Sequence, residues 1–295
     1  MVWTADGEWV TFIIRKTAFF VLSLAKKVKV GCSGWSYKDW AGPFYSKGLP
    51  AKDYLRFYSR VFDCVEVDSS FYRIPNQFMI EQWKRATPEG FIFSPKLSKK
   101  ITHDNKLEDF ESTLTYFYSI MGKLGPKLGP IVAQLPPSIK VEKHMPVMKK
   151  FVESLSPKYK HSIEFRHKSW FISEVYKLLE RHNVAMTWSL NQYLETPAEV
   201  TANFAVLRMV GERDITEFSG KQKERKEDME RWAVNLQEKN DSFENAYVFF
   251  NNHFAGFGPE SVNEFRRLLG MIEMDWKDKQ APGPADSAQG TLTGF

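Results

Sequence analysis

The chain has 295 residues, 43% of them hydrophobic and 15% aromatic, with a formal net charge of +5 at pH 7. That is ample material for one large core, and the mildly basic balance admits an anionic partner without demanding one. The two cysteines, Cys32 and Cys64, lie in apolar runs with no CxxC pair, which excludes a disulfide-stapled chain and makes a reducing cytoplasm the default.

Residues 1–27 read as an extension outside the fold. The apolar run Phe19–Ala25 is short, follows Asp6 and Glu8, and precedes no small-residue cleavage site. It is not expected to act as a secretory signal, and a membrane span needs ~20 apolar residues, so no membrane partner is expected. From residue 28 to 273 short β-branched or aromatic runs alternate with segments of helical spacing. The predicted strands are 28–33, 63–68, 90–96, 129–135, 161–166, 184–189, 203–209 and 246–252. Predicted helices lie between them, including a long charged one over 220–239 that reads as a solvated face. Thirteen residues with Pro197 among them separate the sixth and seventh strands, room for one helical turn at most. Strand–helix alternation implies parallel strands joined by crossovers. Eight such units predict an α/β fold, an irregular (β/α)₈ TIM-type barrel in a single domain, with a doubly wound open sheet as the alternative. Residues 274–295, small, polar and Gly/Pro-bearing, read as a disordered tail.

In such a barrel the C-terminal strand ends line the active-site mouth. Alternation puts Glu66 and Asp68 on one face of the second strand, and Glu164 and Arg166 on one face of the fifth. Lys96, Gln134 and Arg208 end the third, fourth and seventh strands, and Asn251 and Asn252 close the eighth. Three acids and three bases at matched heights could be a structural ion-pair network. Apolar residues of similar volume would stabilise as well or better, so a functional site explains the cluster better. His167, directly after Arg166, reaches the mouth only if the chain turns there, and His253 is in the same position. Among the aromatics of 34–45 and 69–76, most are expected to plug the top, with Tyr37, Tyr72 and Arg73 as ligand candidates. Gly256 and Gly258, ahead of Pro259 and Ser261, place a glycine loop before a helix start, where barrels often bind phosphate; that the glycines only make turns is an equal alternative. No P-loop, dinucleotide fingerprint or G-x-S-x-G elbow occurs, and no ligand spacing specifies a metal around Glu66, Asp68, Glu164 and either histidine. The cofactor is left unknown.

The motifs GCSGWSYKDWAGPFY, VEVDSSFYRIPN, ITHD, AQLPPS, EFRHKSWF and FNNHFAGFGP, in this order, closely resemble the YecE-like family, a domain of unknown function. The resemblance covers about residues 28–270 and implies an irregular TIM-type barrel without supplying a reaction. Distant similarity to apurinic endonucleases and xylose-isomerase-like enzymes hints at phosphodiester or sugar substrates, by fold analogy. Where many relatives read R-x-H-G after the seventh strand, this chain has Arg208, Met209, Val210 and Gly211, which shifts weight to the Glu and Arg residues.

The expected protein is a cytoplasmic barrel enzyme acting on a small anionic, phosphate-bearing substrate. Glu164 is the expected general base or acid, with Glu66 or Asp68 as its partner. Arg166, Arg208 and Lys96 hold the anion, while Gln134 and Asn251 orient it. A non-catalytic nucleic-acid-binding protein and a metal-dependent sugar isomerase or epimerase are the alternatives.

Overall fold

The computed structural model describes residues 27–192, 194–277 and 279. All eight apolar runs expected to be strands form strands, each short, β-branched or aromatic, and bounded by polar or turn residues. They are β1 (Val28–Ser33), β2 (Cys64–Val67), β3 (Ile92–Pro95), β4 (Ile131–Gln134) and β5 (His161–Glu164), then a sixth run split into β6 (Val184–Met186) and β7 (Trp188–Asn191). After β7 the chain turns back as β8 (Leu194–Glu195), antiparallel to β7, where the sequence left room for a helical turn. β9 (Phe204–Gly211) and β10 (Asn245–Phe250) follow.

The helices are α1 (Tyr54–Val61), α2 (Gln77–Ala86), α3 (Glu111–Met121), α4 (Val141–Ser154), α5 (Ser173–Arg181), α6 (Lys226–Glu238) and α7 (Gly258–Leu268). Each buries the stripe its spacing provides, as α5 does with Val175, Leu178 and Leu179. Among the described residues no helix is long and apolar enough to cross a membrane.

The strands form two sheets, a seven-stranded one in the order β3-β2-β1-β10-β9-β7-β8 and a three-stranded one in the order β4-β5-β6. Apart from the β7–β8 hairpin, all pairings are parallel. The ladders therefore do not close into the single expected barrel. Between β3 and β4 the reason is chemical: Pro95 and Pro130 have no amide to donate. Only isolated bridges remain there, Phe93 to Leu128 and Lys96 to Val132, with Leu97 N donating to the Val132 carbonyl at 2.9 Å. The second break is at Thr187, where the sixth run changes partner. β6 pairs with β5 and β7 pairs with β9, and the Thr187 amide donates to the Ile163 carbonyl at 2.9 Å.

The larger core lies between strands and helices, with Val30, Val65, Phe93, Ile163, Leu207 and Val248 among its members. A smaller cluster of Cys64, Val132, Ala185, Phe204, Val206, Tyr247 and Phe249 comes only from strands, and from both sheets. Two residues further along their strands, Glu66, Gln134 and Arg208 share the faces of Cys64, Val132 and Val206. A polar layer thus lies over an apolar one. Of the expected extension and tail, all but Lys27, 274–277 and 279 lie outside the described residues. Trp276 packs on Phe44 and donates its indole N–H to the Pro43 carbonyl at 2.9 Å.

Candidate functional site

The polar layer is one connected network with Arg208 at its centre. Arg208 Nε donates to Glu66 Oε1 at 2.6 Å and Nη2 to Glu66 Oε2 at 2.8 Å, a bidentate clamp. Its Nη1 donates to Glu164 Oε2. Arg166 Nε donates to Glu164 Oε1 at 2.9 Å, and Arg166 Nη2 to Gln134 Oε1 at 3.1 Å. Lys96 Nζ donates to the same Gln134 oxygen at 2.9 Å and lies 3.3 Å from Asp68 Oδ1. Ser189 Oγ adds a bond to Glu164 Oε1 at 3.3 Å.

Burial divides this network into a floor and a rim. Glu66 and Glu164 are fully buried and Arg208 nearly so. Burial opposes ionisation of Glu164, but Arg208, Arg166 and Lys96 outweigh it and hold its pKa at about 2. Burial also works against the Arg208 charge, and Glu164 and Glu66 outweigh it, so the guanidinium stays protonated. The rim is less deeply buried: the Asp68 side chain is 32% exposed, Arg166 14% and Lys96, still buried, 10%. Asp68 Oδ1 is itself buried and, although close to Lys96, forms no aligned hydrogen bond.

Sequence reasoning missed His103 at this rim and counted Phe71 only among the aromatics expected to plug the top. Lys96 Nζ stands 4.9 Å from the centre of the Phe71 ring, and the His103 ring meets that ring edge-on at 4.9 Å. Burial, then the charges of Lys96 and Arg166, push the His103 pKa below its ordinary value, so the imidazole is neutral at pH 7. Its Nδ1 is 2.8 Å from Thr102 Oγ1. It sits on a single π-helical turn, Lys100–Asp104, a form that recurs at functional sites. The only sequence signal was its ITHD motif.

Other expected site residues are engaged elsewhere. Asn252 Oδ1 accepts from Trp40 Nε1 at 3.2 Å and from Gly258 N at 2.9 Å. Asn251 Oδ1 accepts from His253 N at 3.1 Å, capping the one-turn helix Asn252–Ala255. His167 Nδ1 pairs with Ser169 Oγ at 2.8 Å and caps the next turn. His253 packs edge-on against Phe218. Tyr37 donates its hydroxyl to the Ser33 carbonyl and lies between Trp40 and Phe218. Tyr72 and Arg73 are exposed and outside the network. Trp40, Phe44 and Tyr45 are buried plugs, as expected of the rim aromatics.

Two expectations are overturned. The glycine loop before α7 is no open phosphate cradle, because Gly256 N donates to the Asn252 carbonyl at 2.7 Å and Gly258 N is taken by Asn252. Gly256 instead lets the 220–222 segment pass: a Cβ there would meet the Gly220 carbonyl at 2.6 Å. The charged run 220–239 is not one solvated helix either. α6 begins at Lys226, and the preceding cations tie down a strap. Lys223 pairs with Glu212 and Asp214, Arg225 with Glu212, and Lys221 with Glu264.

Parallel strands, crossover helices and a charged cluster at the carboxyl ends of strands define a class of mixed α/β proteins. Within that class, a family model described as "Protein of unknown function DUF72" matches residues 29–286, and the chain belongs to that family. It is similar to UPF0759 protein YecE of Escherichia coli, 27% identical over 49% of this chain and half the length of that relative. It is also similar to UPF0759 protein YunF of Bacillus subtilis, 23% identical over 84% of this chain and 96% of that one. A DUF72 family protein of Thermotoga maritima has a similar solved structure, with a TM-score of 0.73 and 26% identity, covering 83% of this chain and 99% of that one. One from Enterococcus faecalis, at 18% identity, shares the fold with a TM-score of 0.70 over 86% of this chain and all of that one.

Proposed function

We propose that the rim binds a small anionic, phosphate-bearing substrate and carries out chemistry on it. The observation that carries this reading is the division of the network. Glu66 and Glu164 neutralise Arg208 in a dry floor, while Lys96 and Arg166 keep partly open faces above it. A network serving stability alone gains nothing from cations left at an opening. Lys96 and Arg166 hold the anion, and Gln134 fixes both of them. Glu164 at a pKa of about 2 is too weak a base to take a proton at neutral pH. It is a positioning residue for Arg166 and Arg208, and Glu66 does the same for Arg208. The proton-transfer groups are Asp68, with its unbonded Oδ1, and neutral His103.

The same reading treats the two sheets as parts of one irregular (β/α)₈ barrel. Supporting it are the bridges between β3 and β4, the shared sixth run, and the apolar cluster drawn from strands of both sheets. A reducing cytoplasm suits the two buried free thiols, Cys32 and Cys64.

The test is turnover of a panel of phosphate mono- and diesters, followed by phosphorus NMR, in wild type and Asp68→Asn. The expected result is turnover that falls at least about a hundredfold in the folded variant. Unchanged turnover removes Asp68 from the chemistry. A non-catalytic nucleic-acid binder is the second reading, favoured by exposed Tyr72 and Arg73. It requires steep loss of binding with salt and indifference to Asp68→Asn. Among the described residues no three of His, Cys, Asp and Glu are grouped to hold a metal ion, so no observation favours the isomerase alternative.

A further inference from the structure

Beside the rim a cleft of about 520 Å³ opens between the end of the one-turn helix Ser69–Tyr72, the π-turn Lys100–Asp104 and α3. Two tyrosines line it while facing water, Tyr72 at 72% exposure and Tyr116 at 52%. Lys99 and Lys100 line it as well. Lys99 has Asp104 at 3.9 Å, whereas Lys100 is exposed and has no ion pair among the described residues. Just beyond the π-turn, Lys106, Leu107 and Asp109 hold positive φ angles of 51°, 67° and 44°. Side chains rarely adopt that conformation, and strain of this kind gathers at binding sites. Buried Leu107 anchors it. Phe71 stands between the cleft and the rim, its ring 5.1 Å from that of Tyr72 and 4.9 Å from Lys96 Nζ.

We propose that this cleft is a nucleotide subsite, so that the anion at the rim is the phosphate of a nucleotide. This rests on reading the rim as an anion site. The heterocycle stacks on Tyr116 and Tyr72, its phosphate faces Lys96 and Arg166 at the rim, and Lys99 and Lys100 add positive charge along the cleft. Stacking on tyrosine is open to any base because every base has a π-face. A sugar phosphate would use the lysines and leave both rings in water. Cations and exposed rings around one cleft together match a ligand that is planar at one end and anionic at the other. That chemistry is common to a free nucleotide and to a single-stranded nucleic acid.

The experiment is equilibrium binding of AMP, inorganic phosphate and a fluorescein-labelled oligothymidylate series. It uses the full chain and its Tyr116→Ala, Lys100→Gln and Arg166→Gln variants. Tyr116 and Lys100 are exposed, so their variants keep the fold. The expected result is that AMP binds more tightly than phosphate and loses about tenfold in affinity in Tyr116→Ala, with phosphate binding unchanged there. Lys100→Gln weakens AMP as well. Affinity that climbs with oligothymidylate length and falls steeply with salt assigns the ligand to a single strand. Affinity independent of length assigns it to the free nucleotide. AMP binding no tighter than phosphate, or unaltered by Tyr116→Ala, overturns the subsite. If phosphate binding still depends on Arg166 in that case, the rim reading stands alone. If neither ligand binds, both fall.

Discussion

Arg208 is 2% exposed and both of its close carboxylate partners are fully buried. Removing one partner from such a group leaves an uncompensated charge in a dry site. Glu164→Gln is therefore expected to destabilise the protein by about 3–5 kcal/mol in chemical denaturation, although it changes little in size. A neutral result would mean that Glu66 alone compensates Arg208. The same carboxylate sets an acid limit. Its folded pKa lies below the ordinary carboxylate value, so its stabilisation is present above that value and is lost as pH falls through about 2. A second limit comes from His161, buried and bonded to the Tyr118 hydroxyl at 2.7 Å. Burial lowers its pKa from 6.5 to about 4. The unfolded chain then binds a proton that the fold does not, and stability falls as pH drops from 6.5 towards 4. Thermal unfolding across that window should show a decline in wild type that is smaller in His161→Gln. An equal decline would assign it to other groups. At this scale the sequence revealed Glu66, Asp68, Lys96, Gln134, Glu164, Arg166 and Arg208, because strand alternation fixes which residues share a face. It did not reveal that Asn251 and His167 spend side-chain acceptors on caps, since capping depends on how the chain turns after the strand. It also missed the rim position of His103, which a one-residue expansion of a helical turn creates.

At the scale of elements, the strands were legible because each is a short apolar run between polar ends. The break between β3 and β4 was legible only in retrospect, since the prolines matter once the two strands are known to be neighbours. α6 starts later than its charge pattern suggested, because Lys221, Lys223 and Arg225 find acidic partners on other segments. The end of β9 provides a sharp test. Gly211 has a φ of 72°, and a Cβ there would lie 2.4 Å from both the His253 carbonyl oxygen and Phe254 Cα. Both are backbone atoms that cannot swing aside. Gly211→Ala is expected to cost roughly 2 kcal/mol or more in urea denaturation with an unchanged slope. Gly220→Ala, which meets nothing within 4 Å, should cost far less. Equal costs would show that the β9 turn is not held against the helix that follows β10.

For the whole molecule, the topology brings distant side chains into one layer: Arg208 is 142 positions from Glu66 within the seven-stranded sheet and also meets Glu164 of the other sheet. No local pattern announces such a contact; only the topology, read from strand–helix alternation, does. The net charge of +5 adds a weak attraction for anions, to which the proposed rim site at Lys96 and Arg166 would give a place. The most direct measurement is thermal unfolding of wild type and Arg166→Ala with inorganic phosphate and a panel of phosphate esters. A ligand at a hundred times its dissociation constant stabilises a fold by about 2.7 kcal/mol. The expected result is stabilisation of wild type that is lost in the folded variant, whose Glu164 still has Arg208 as a partner. If no anion shifts wild type, or if every shift survives in Arg166→Ala, the rim is not the anion site and the charged layer is a structural plug.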